Sequence, residues 1–140
     1  MRFNETAGSM AKDSVFNAAS VVRLLTGLDI NDYDLHVNIV GGGRIDGPSA
    51  GVAITLAVIS CLLQRPIRQD IAVTGEVSIQ GKVKEVGGIF EKIYGAKQAG
   101  VKEVFIPMEN KEEIPPLLDG IRVRTAATVK ELMDHVFITH

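Results

Sequence analysis

The sequence predicts a mixed α/β fold in a single domain that spans residues 1–140. Segments whose apolar residues follow helical spacing alternate along the chain with short segments whose apolar residues recur at every second position. Hydrophobic residues make up 46% of the chain and charged residues 23%, which is an ordinary globular composition. Because no linker, internal repeat or low-complexity run divides the chain, we expect one compact unit.

The first half of the chain is predicted to form two helices separated by a strand and a loop. Residues 8–27 carry apolar side chains at helical spacing and end at a glycine, and residues 35–40 alternate as a strand with one buried face. Residues 41–48 are rich in glycine and predict a loop, whereas residues 49–63 predict a buried helix that is apolar on most faces. Residues 2–6 resemble the end of a strand whose partner precedes it, which predicts a fragment of a longer protein.

The second half is predicted to alternate short strands with helices. Strands are expected at residues 71–74, 77–83, 104–106 and 121–123, with a turn near Gly81. Helices are expected at residues 89–99, 109–118 and 128–137, the second of them short and interrupted at Pro115 and Pro116. The last helix begins with a capping box, in which Thr128 is the cap and Glu131 follows three residues later.

Composition and charge exclude several classes of function. The net charge is -2, so the domain has no overall positive field that would favour nucleic acid as a partner. Cys61 is the only cysteine, which excludes an intramolecular disulfide framework and fits a reducing compartment. Neither histidines nor cysteine occur at metal-ligand spacing, so no metal or other cofactor is expected in this domain. The longest apolar run, residues 52–63, is too short to span a bilayer, and we expect a cytoplasmic domain.

The segment DGPSAG, residues 46–51, is the first candidate for chemistry. Pro48 suits the first position of a helix, which places Ser49 in the first turn, where backbone N–H groups have no partner within the helix. A serine hydroxyl beside free N–H donors supplies a nucleophile and a place for a developing oxyanion. Position alone, however, favours the simpler interpretation that Ser49 only caps the helix.

A nucleophilic serine needs a base, and the residues offer two. His36 is the best-placed histidine. Lys92 follows a glycine pair at the start of a helix and lies beside the apolar face that includes Ile89 and Ile93. From spacing alone the favoured interpretation of Lys92 is a packed stem with its amine in water.

Three long motifs together carry a resemblance to a known family. They are DGPSAG around Ser49, TGEVSIQGKV from Thr74 and GGIFEKIYGAKQAG around Lys92. With VFIP and ENKEE further on, they resemble the proteolytic domain of Lon, the ATP-dependent protease, over essentially the whole chain. FNETAGSMAKDSV and DINDYDLHVN are most similar to the B-type Lon of spore-forming bacteria. The resemblance implies the Lon proteolytic-domain fold, an α/β (α+β) single compact domain of small mixed sheets packed with helices.

The resemblance also implies a Ser–Lys catalytic dyad, with Ser49 as nucleophile and Lys92 as base. The chain would then be a serine endopeptidase domain that hydrolyses peptide bonds in unfolded or misfolded proteins, a task of protein quality control. Thr74 matches a family threonine near the lysine and would orient the amine through its hydroxyl, although it also suits an ordinary strand position. His36 and Asp46 are the expected supporting residues.

The sequence departs from the family pattern in three places. Where many Lon enzymes carry His-x-His, this chain has His36, Val37 and Asn38, so only the first histidine is retained. The loop at residues 41–45 is about one residue shorter than in A-type enzymes. An acidic residue on the family's N-terminal strand would precede Met1.

The ATPase part of Lon has no counterpart in this sequence. No GxxxxGK[ST] motif occurs, and in the nearest segment, residues 75–82, the glycines are too far apart and Val83 follows the lysine. ATP and magnesium would therefore be used by a module of a longer protein, which the resemblance implies to be a hexameric ring acting on unfolded polypeptides. Further N-terminal parts of such a protein are compatible with membrane association.

Two other functions compete with the peptidase. A nucleotide or phosphoester binder built on Gly41, Gly42 and Gly43 lacks the GxGxxG spacing and has only Arg44 as a cation. A catalytically latent domain of the same fold would serve only for assembly. The presence of both Ser49 and Lys92 argues against that alternative.

Overall fold

A computed structural model describes residues 2–3, 9–28, 36–37 and 51–138 of the chain, with side chains for residues 16–28 and 51–138. Within those ranges the helices are α1 (Ser9–Thr26), α2 (Gly51–Leu63), α3 (Ile89–Gln98) and α4 (Val129–Val136), with a 3₁₀ helix at Met108–Glu113. The strands are β1 (Arg2–Phe3), β2 (His36–Val37), β3 (Ile71–Val73), β4 (Glu76–Val77), β5 (Val83–Lys84), β6 (Glu103–Pro107) and β7 (Arg122–Ala126). The predicted mixed α/β fold is confirmed.

A parallel sheet of three strands organises the molecule, with β6 between β3 and β7. Ala72 pairs with Val104 on one side of β6, and Val123 pairs with Val104 on the other. Every residue of β6 is buried, because a central parallel strand has neighbours on both edges and helices on both faces.

The two faces of this sheet belong to two apolar clusters. Val104 and Ile106 of β6 lie with Ile89 and Ile93 of α3 in the smaller cluster. Phe105, whose side chain alternates to the opposite face, lies in the larger cluster with residues of the other helices. That larger cluster includes Val21, Val22, Val52, Leu56, Ile59, Leu132 and Val136. The sheet is thus the middle layer of one compact α/β domain, with α3 on one side.

Strands β4 and β5 form a short antiparallel hairpin beside the main sheet, with Val77 opposite Val83. Gly81 adopts a left-handed φ of 83°, and the Gly81 N–H donates to the Ser78 carbonyl at 2.9 Å. Glycine is favoured at such a position because it has no Cβ. The turn predicted near Gly81 is confirmed.

The structure adds detail to two predicted elements. The N-terminal strand β1 pairs in parallel with β2, Arg2 opposite His36, so one partner of this strand follows it in the sequence. The helix expected at residues 109–118 is a 3₁₀ helix that ends at Glu113. Its end has a local cause, since Ile114 precedes Pro115 and takes an extended conformation, which a following proline favours.

Candidate functional site

The carboxyl ends of strands β3 and β6 lie beside Thr74, the start of helix α2 and the segment before helix α3. Thr74 directly follows β3 and is half-buried, and its N–H donates to the Phe105 carbonyl of β6 at 3.1 Å. This bond continues the pairing of β3 with β6 beyond the last ladder pair, Val73 with Phe105. In open α/β sheets, sites commonly lie outside the carboxyl ends of the strands, and this is the end where Thr74 lies.

Gly75 joins the start of helix α2 to this end of the sheet. Its carbonyl accepts a hydrogen bond from the Val52 N–H at 3.0 Å. The residue is buried with a φ of 155°, and a Cβ at this position would lie 2.8 Å from Val83 Cγ1 and 3.0 Å from Val52 Cγ2. Only glycine fits that space without displacing a neighbour. The helix N-terminus is therefore fixed next to Thr74.

Gly51, the first described residue of α2, packs closely on strand β4. A Cβ at Gly51 would lie 3.1 Å from the Val77 nitrogen, and the Thr55 hydroxyl donates to the Gly51 carbonyl at 2.7 Å. Ser49 precedes this glycine by two positions in the sequence. Ser49 and Asp46 themselves lie outside the described residues.

His36 is placed by its backbone only. It is the first residue of β2, where it pairs with Arg2. Its side chain is outside the described part of the chain, so its predicted supporting role stays a prediction.

Lys92 lies in the first turns of helix α3. Its N–H donates to the carbonyl of Gly88 at 3.0 Å, and Gly88 begins the helix with a left-handed φ of 69°. Ile89 and Ile93 are buried and Lys92 is half-buried, so the lysine does lie beside the apolar face. Phe90, by contrast, is exposed and packs on Tyr94 with a ring separation of 4.6 Å.

The Lys92 amine and the Thr74 hydroxyl form no hydrogen bond or ion pair with another described residue. Among residues 16–28 and 51–138, no hydrogen bond or ion pair reaches the Lys92 amine or the Thr74 hydroxyl. The two groups also do not bond to each other. The lysine amine is thus not neutralised by a described carboxylate, and the role of Thr74 in orienting it stays a prediction.

Asn110 is a residue near Lys92's helix that the sequence analysis did not single out. It follows β6 in the 3₁₀ helix and is 3% exposed. Its amide oxygen accepts from the Val86 N–H at 3.1 Å, and its amide nitrogen donates to the Val86 carbonyl at 2.9 Å. Because Val86 lies just before the glycine pair that starts α3, the carboxyl end of β6 is linked to the start of the lysine's helix.

The strongest cluster of charges lies at the other end of the sheet. Glu103, the first residue of β6, is 5% exposed, and its carboxylate lies 3.0 Å from Arg68 Nη1. Arg122 and Arg124 approach the same carboxylate at 3.7 and 3.8 Å. Arg68 also hydrogen-bonds the Asp70 carboxylate and lowers the pKa of that group. This cluster is at the amino ends of the strands, away from Thr74.

Two kinds of feature are absent from residues 2–3, 9–28, 36–37 and 51–138. No helix there is long and apolar enough to cross a membrane. No three histidine, cysteine, aspartate or glutamate residues of those ranges come together as metal ligands.

Comparisons with known proteins all find similarity to Lon proteases. The family model described as the Lon protease (S16) C-terminal proteolytic domain matches residues 2–139. Lon protease 2 of Bacillus subtilis (strain 168) is 44% identical over 130 residues, which are 93% of this chain and 23% of that protein. Lon protease of Haemophilus influenzae is 37% identical over 97% of this chain and 18% of its own length. Archaeal Lon protease of Archaeoglobus fulgidus is 37% identical over 91% of this chain and 21% of its own length. The chain spans about a fifth of the length of these relatives.

Proposed function

The chain belongs to the family of Lon protease C-terminal proteolytic domains, and from that premise we propose that it cleaves peptide bonds with Ser49 as nucleophile and Lys92 as general base. Family membership makes it a Lon-type protease domain.

One observation carries the proposal. The start of α2, Thr74 and the segment before α3 are joined to the same end of the β3–β6 pair by backbone and side-chain hydrogen bonds. Val52 N–H bonds to Gly75, Thr74 N–H bonds to Phe105, and Asn110 of the segment after β6 bonds to Val86 before α3. A nucleophile, its base and their supports must come from such a convergence, because proton transfer requires hydrogen-bond distance.

The proposed reaction follows from the chemistry of the two groups. Neutral Lys92 takes the proton of the Ser49 hydroxyl while the oxygen attacks the peptide carbonyl. The resulting ammonium returns the proton to the leaving amine, which yields an acyl-serine ester. Lys92 then takes a proton from water as the water oxygen attacks the ester, and the ammonium returns that proton to the Ser49 oxygen as the acid leaves, which restores the dyad. The N–H groups near the start of α2 are the expected donors to the oxyanion.

The surroundings of the lysine side chain are consistent with that role. A base must be able to lose its proton, and a close carboxylate would favour the charged ammonium. Within the described ranges the Lys92 amine has no such partner, and its stem lies beside the buried Ile89 and Ile93.

The wider setting belongs to the proposal as well. We infer that a longer protein supplies an ATPase module that uses ATP and magnesium, forms a hexameric ring and delivers unfolded polypeptides in the cytoplasm. The support is that this chain matches only about a fifth of each Lon protease named above. No phosphate-binding GxxxxGK[ST] motif occurs in its sequence.

The first prediction tests the dyad with a short unstructured peptide substrate. Ser49→Ala should reduce hydrolysis to background, and Lys92→Arg should lower kcat by about 10²- to 10⁴-fold, the usual contribution of a general base. Guanidinium cannot act as that base because it stays charged. For the wild type, kcat/KM should rise with pH through the neutral range, and added ATP should change nothing.

Matched controls come from the same two helices. Ser60→Ala in α2 and Lys97→Arg in α3 change the same residue types away from the proposed chemistry and should keep wild-type turnover. A serine-directed boronate or acylating inhibitor should form its adduct on Ser49. More than a few per cent of wild-type turnover in Lys92→Arg would contradict Lys92 as base and point to His36. No adduct and no hydrolysis would indicate a latent assembly domain.

A further inference from the structure

Asn110 is a buried polar side chain that bonds twice to Val86, two residues before the glycine that begins helix α3. Its amide oxygen accepts from the Val86 N–H at 3.1 Å, and its amide nitrogen donates to the Val86 carbonyl at 2.9 Å and to the Glu113 carboxylate. We propose that Asn110 is a positioning residue for Lys92, acting through Val86 and the start of α3. This inference rests on the proposed function of Lys92 as base.

The bonds from Asn110 replace the strand neighbour that Val86 lacks. Strand β5 ends at Lys84, so Val86 lies beyond the hairpin, and one side-chain amide satisfies both of its backbone polar groups. An unpaired, partly buried backbone group costs free energy comparable to a lost hydrogen bond. Removal of the amide would therefore release two backbone groups at once and favour a different path for this segment.

The hydrogen bonds to Val86 matter for the position of Lys92 because of the segment that lies between the two residues. Gly87 and Gly88 follow, and glycine restricts the backbone less than any other residue. Gly88 begins α3 with a left-handed φ of 69°, and its carbonyl accepts the Lys92 N–H at 3.0 Å. When Val86 is held by Asn110, the position at which the glycine pair begins is fixed. Without that contact, two glycines precede the first turn of α3, and no side-chain cap fixes the position of that turn.

Apolar packing alone fixes the position of the first turn of α3 less precisely than hydrogen bonds do. Ile89 and Ile93 belong to an apolar cluster with Val104 and Ile106, which holds α3 on the sheet without direction-specific bonds. The neighbouring ion pair between Lys84 and Glu109, 3.2 Å apart, joins two half-exposed side chains and contributes little. The amide of Asn110 is thus the directional contact between the segment after β6 and the start of α3.

A purely structural residue and a positioning residue differ in what their loss changes. A shift of the Lys92 amine by about an ångström lowers the rate of proton transfer by about tenfold to a hundredfold. It leaves peptide binding in place, so kcat should fall while KM stays near the wild-type value. A residue that only stabilises the fold would change the fraction folded and leave kcat per folded molecule unchanged.

The experiment uses Asn110→Asp and Asn110→Ala, with Glu103→Gln as the matched control. Asn110→Asp keeps the side-chain size and the acceptor for Val86 N–H but turns an oxygen towards the Val86 carbonyl and the Glu113 carboxylate. Glu103 is equally buried but lies at the amino end of β6 among arginines. Turnover is measured per folded molecule, with the folded fraction obtained from urea unfolding of each variant.

Two further readouts do not depend on hydrolysis. Lysines are ¹³C-methylated, and the Lys92 resonance, assigned with Lys92→Arg, is compared between variants. Amide hydrogen exchange is followed at Val86 and through residues 87–92. In the wild type the Val86 amide should exchange slowly, because its N–H is bonded to the buried Asn110.

The expected result is a kcat about tenfold to a hundredfold lower in both Asn110 variants with KM unchanged. The Lys92 resonance should shift and exchange should accelerate in residues 86–92, and Glu103→Gln should do none of these. Wild-type kcat in Asn110→Asp, or an equal loss in Glu103→Gln, would overturn the inference. If Asn110→Ala does not fold, Asn110→Asp decides. If neither folds, fast wild-type exchange at Val86 overturns the inference and slow exchange supports it.

The design separates this inference from the proposed function. If wild-type hydrolysis does not depend on Ser49, the proposed function fails. The Lys92 resonance and the exchange at residues 86–92 then still decide whether Asn110 positions the lysine. An unchanged Lys92 resonance in Asn110→Asp would overturn the positioning role even where hydrolysis depends on Ser49.

Discussion

Gly75 is the single residue on which the approach of helix α2 to the sheet depends most. Its carbonyl bonds to Val52 N–H, and the space where a Cβ would lie is already filled by Val83 and Val52 side chains. These side chains are buried and belong to the larger apolar cluster, so they have little room to move. Any larger residue at position 75 must push α2 or the β4–β5 hairpin away from the end of β3.

Gly75→Ala is therefore expected to destabilise the protein by about 2–4 kcal/mol, the combined effect of overpacking and of an unfavourable φ. It should also reduce peptide hydrolysis per folded molecule, since Ser49 precedes the first residue of α2 by two positions in the sequence. Urea unfolding and the peptide assay measure the two effects.

Gly95→Ala is the control for that substitution. Gly95 lies in α3 with nothing within 4 Å of the added Cβ, and alanine favours helices by up to about 1 kcal/mol over glycine. Unfolding free energies that are equal in the two alanine variants would contradict the close packing at Gly75.

Hydrogen bonds between residues close in the sequence could be predicted, whereas those between distant residues could not. The Thr128 cap was predicted because its partner is three residues away, and the Thr128 hydroxyl indeed accepts from the Glu131 N–H at 3.1 Å. Asn110 was missed because its partner, Val86, lies 24 residues away on another element. An asparagine in a charged run directly after a strand was the only signal. For Gly75, neighbours on three different segments determine the need for glycine.

Among the elements, the loop between α2 and β3 is bound to the rest of the fold by Arg68. Its guanidinium contacts the Glu103 carboxylate at 3.0 Å and the His135 carbonyl at 3.2 Å, and its own N–H bonds to Val136. One side chain thus joins the loop, β6 and α4. The Glu103 carboxylate is buried and depends on such partners, since an unpaired buried charge is costly.

Arg68→Ala is expected to lower the free energy of unfolding by about 2–3 kcal/mol, because it removes the closest cation from a buried carboxylate. Arg122→Ala serves as control. Arg122 is 73% exposed in its side chain and 3.7 Å from the same carboxylate, and an exposed pair of this kind contributes at most about 1 kcal/mol. Comparable losses in the two variants, measured by urea unfolding, would contradict the central role of Arg68.

The elements that could be predicted are those with strong periodicity and clear ends. Helix α3 was expected at residues 89–99 and spans Ile89–Gln98, since a glycine pair precedes it and Gly100 follows. The pairing of β1 with β2 could not be predicted, because a strand of two residues has too short a sequence pattern to specify which strand it pairs with. Ser49, the residue of greatest interest, lies outside the described ranges, so its predicted contact with Lys92 has to be tested by chemistry.

Across the whole molecule, the two ends of the parallel sheet differ in electrostatic character. The carboxyl ends carry Thr74 and the start of α2, whereas the amino ends carry the Arg68, Asp70 and Glu103 cluster. A hydrogen bond from Arg68 lowers the pKa of Asp70 below its usual 3.8. The strong ion pairs are thus separated from the candidate site, and their pH dependence should appear in stability and not in turnover.

The sign of that pH dependence follows from the direction of the shift. Because the folded state lowers the pKa of Asp70, the unfolded state binds more protons near and below pH 3.8, and stability there rises with pH. The contribution is complete above the usual value and is lost as the pH falls through the lowered one. Wild type should therefore be more stable than Asp70→Asn at pH 7, and the difference should shrink below about pH 4.

Urea unfolding of both proteins from pH 7 to pH 2.5 measures this difference directly. Asp119→Asn, at an exposed aspartate in the loop before β7, controls for the loss of one negative charge and should follow the wild-type curve. The kcat of Asp70→Asn should equal the wild-type value at pH 7, because Asp70 lies before the first residue of β3 and Thr74 follows its last. A stability difference that stays constant down to pH 2.5 would mean that ionisation of the Asp70 carboxylate does not contribute to the stability of the folded protein.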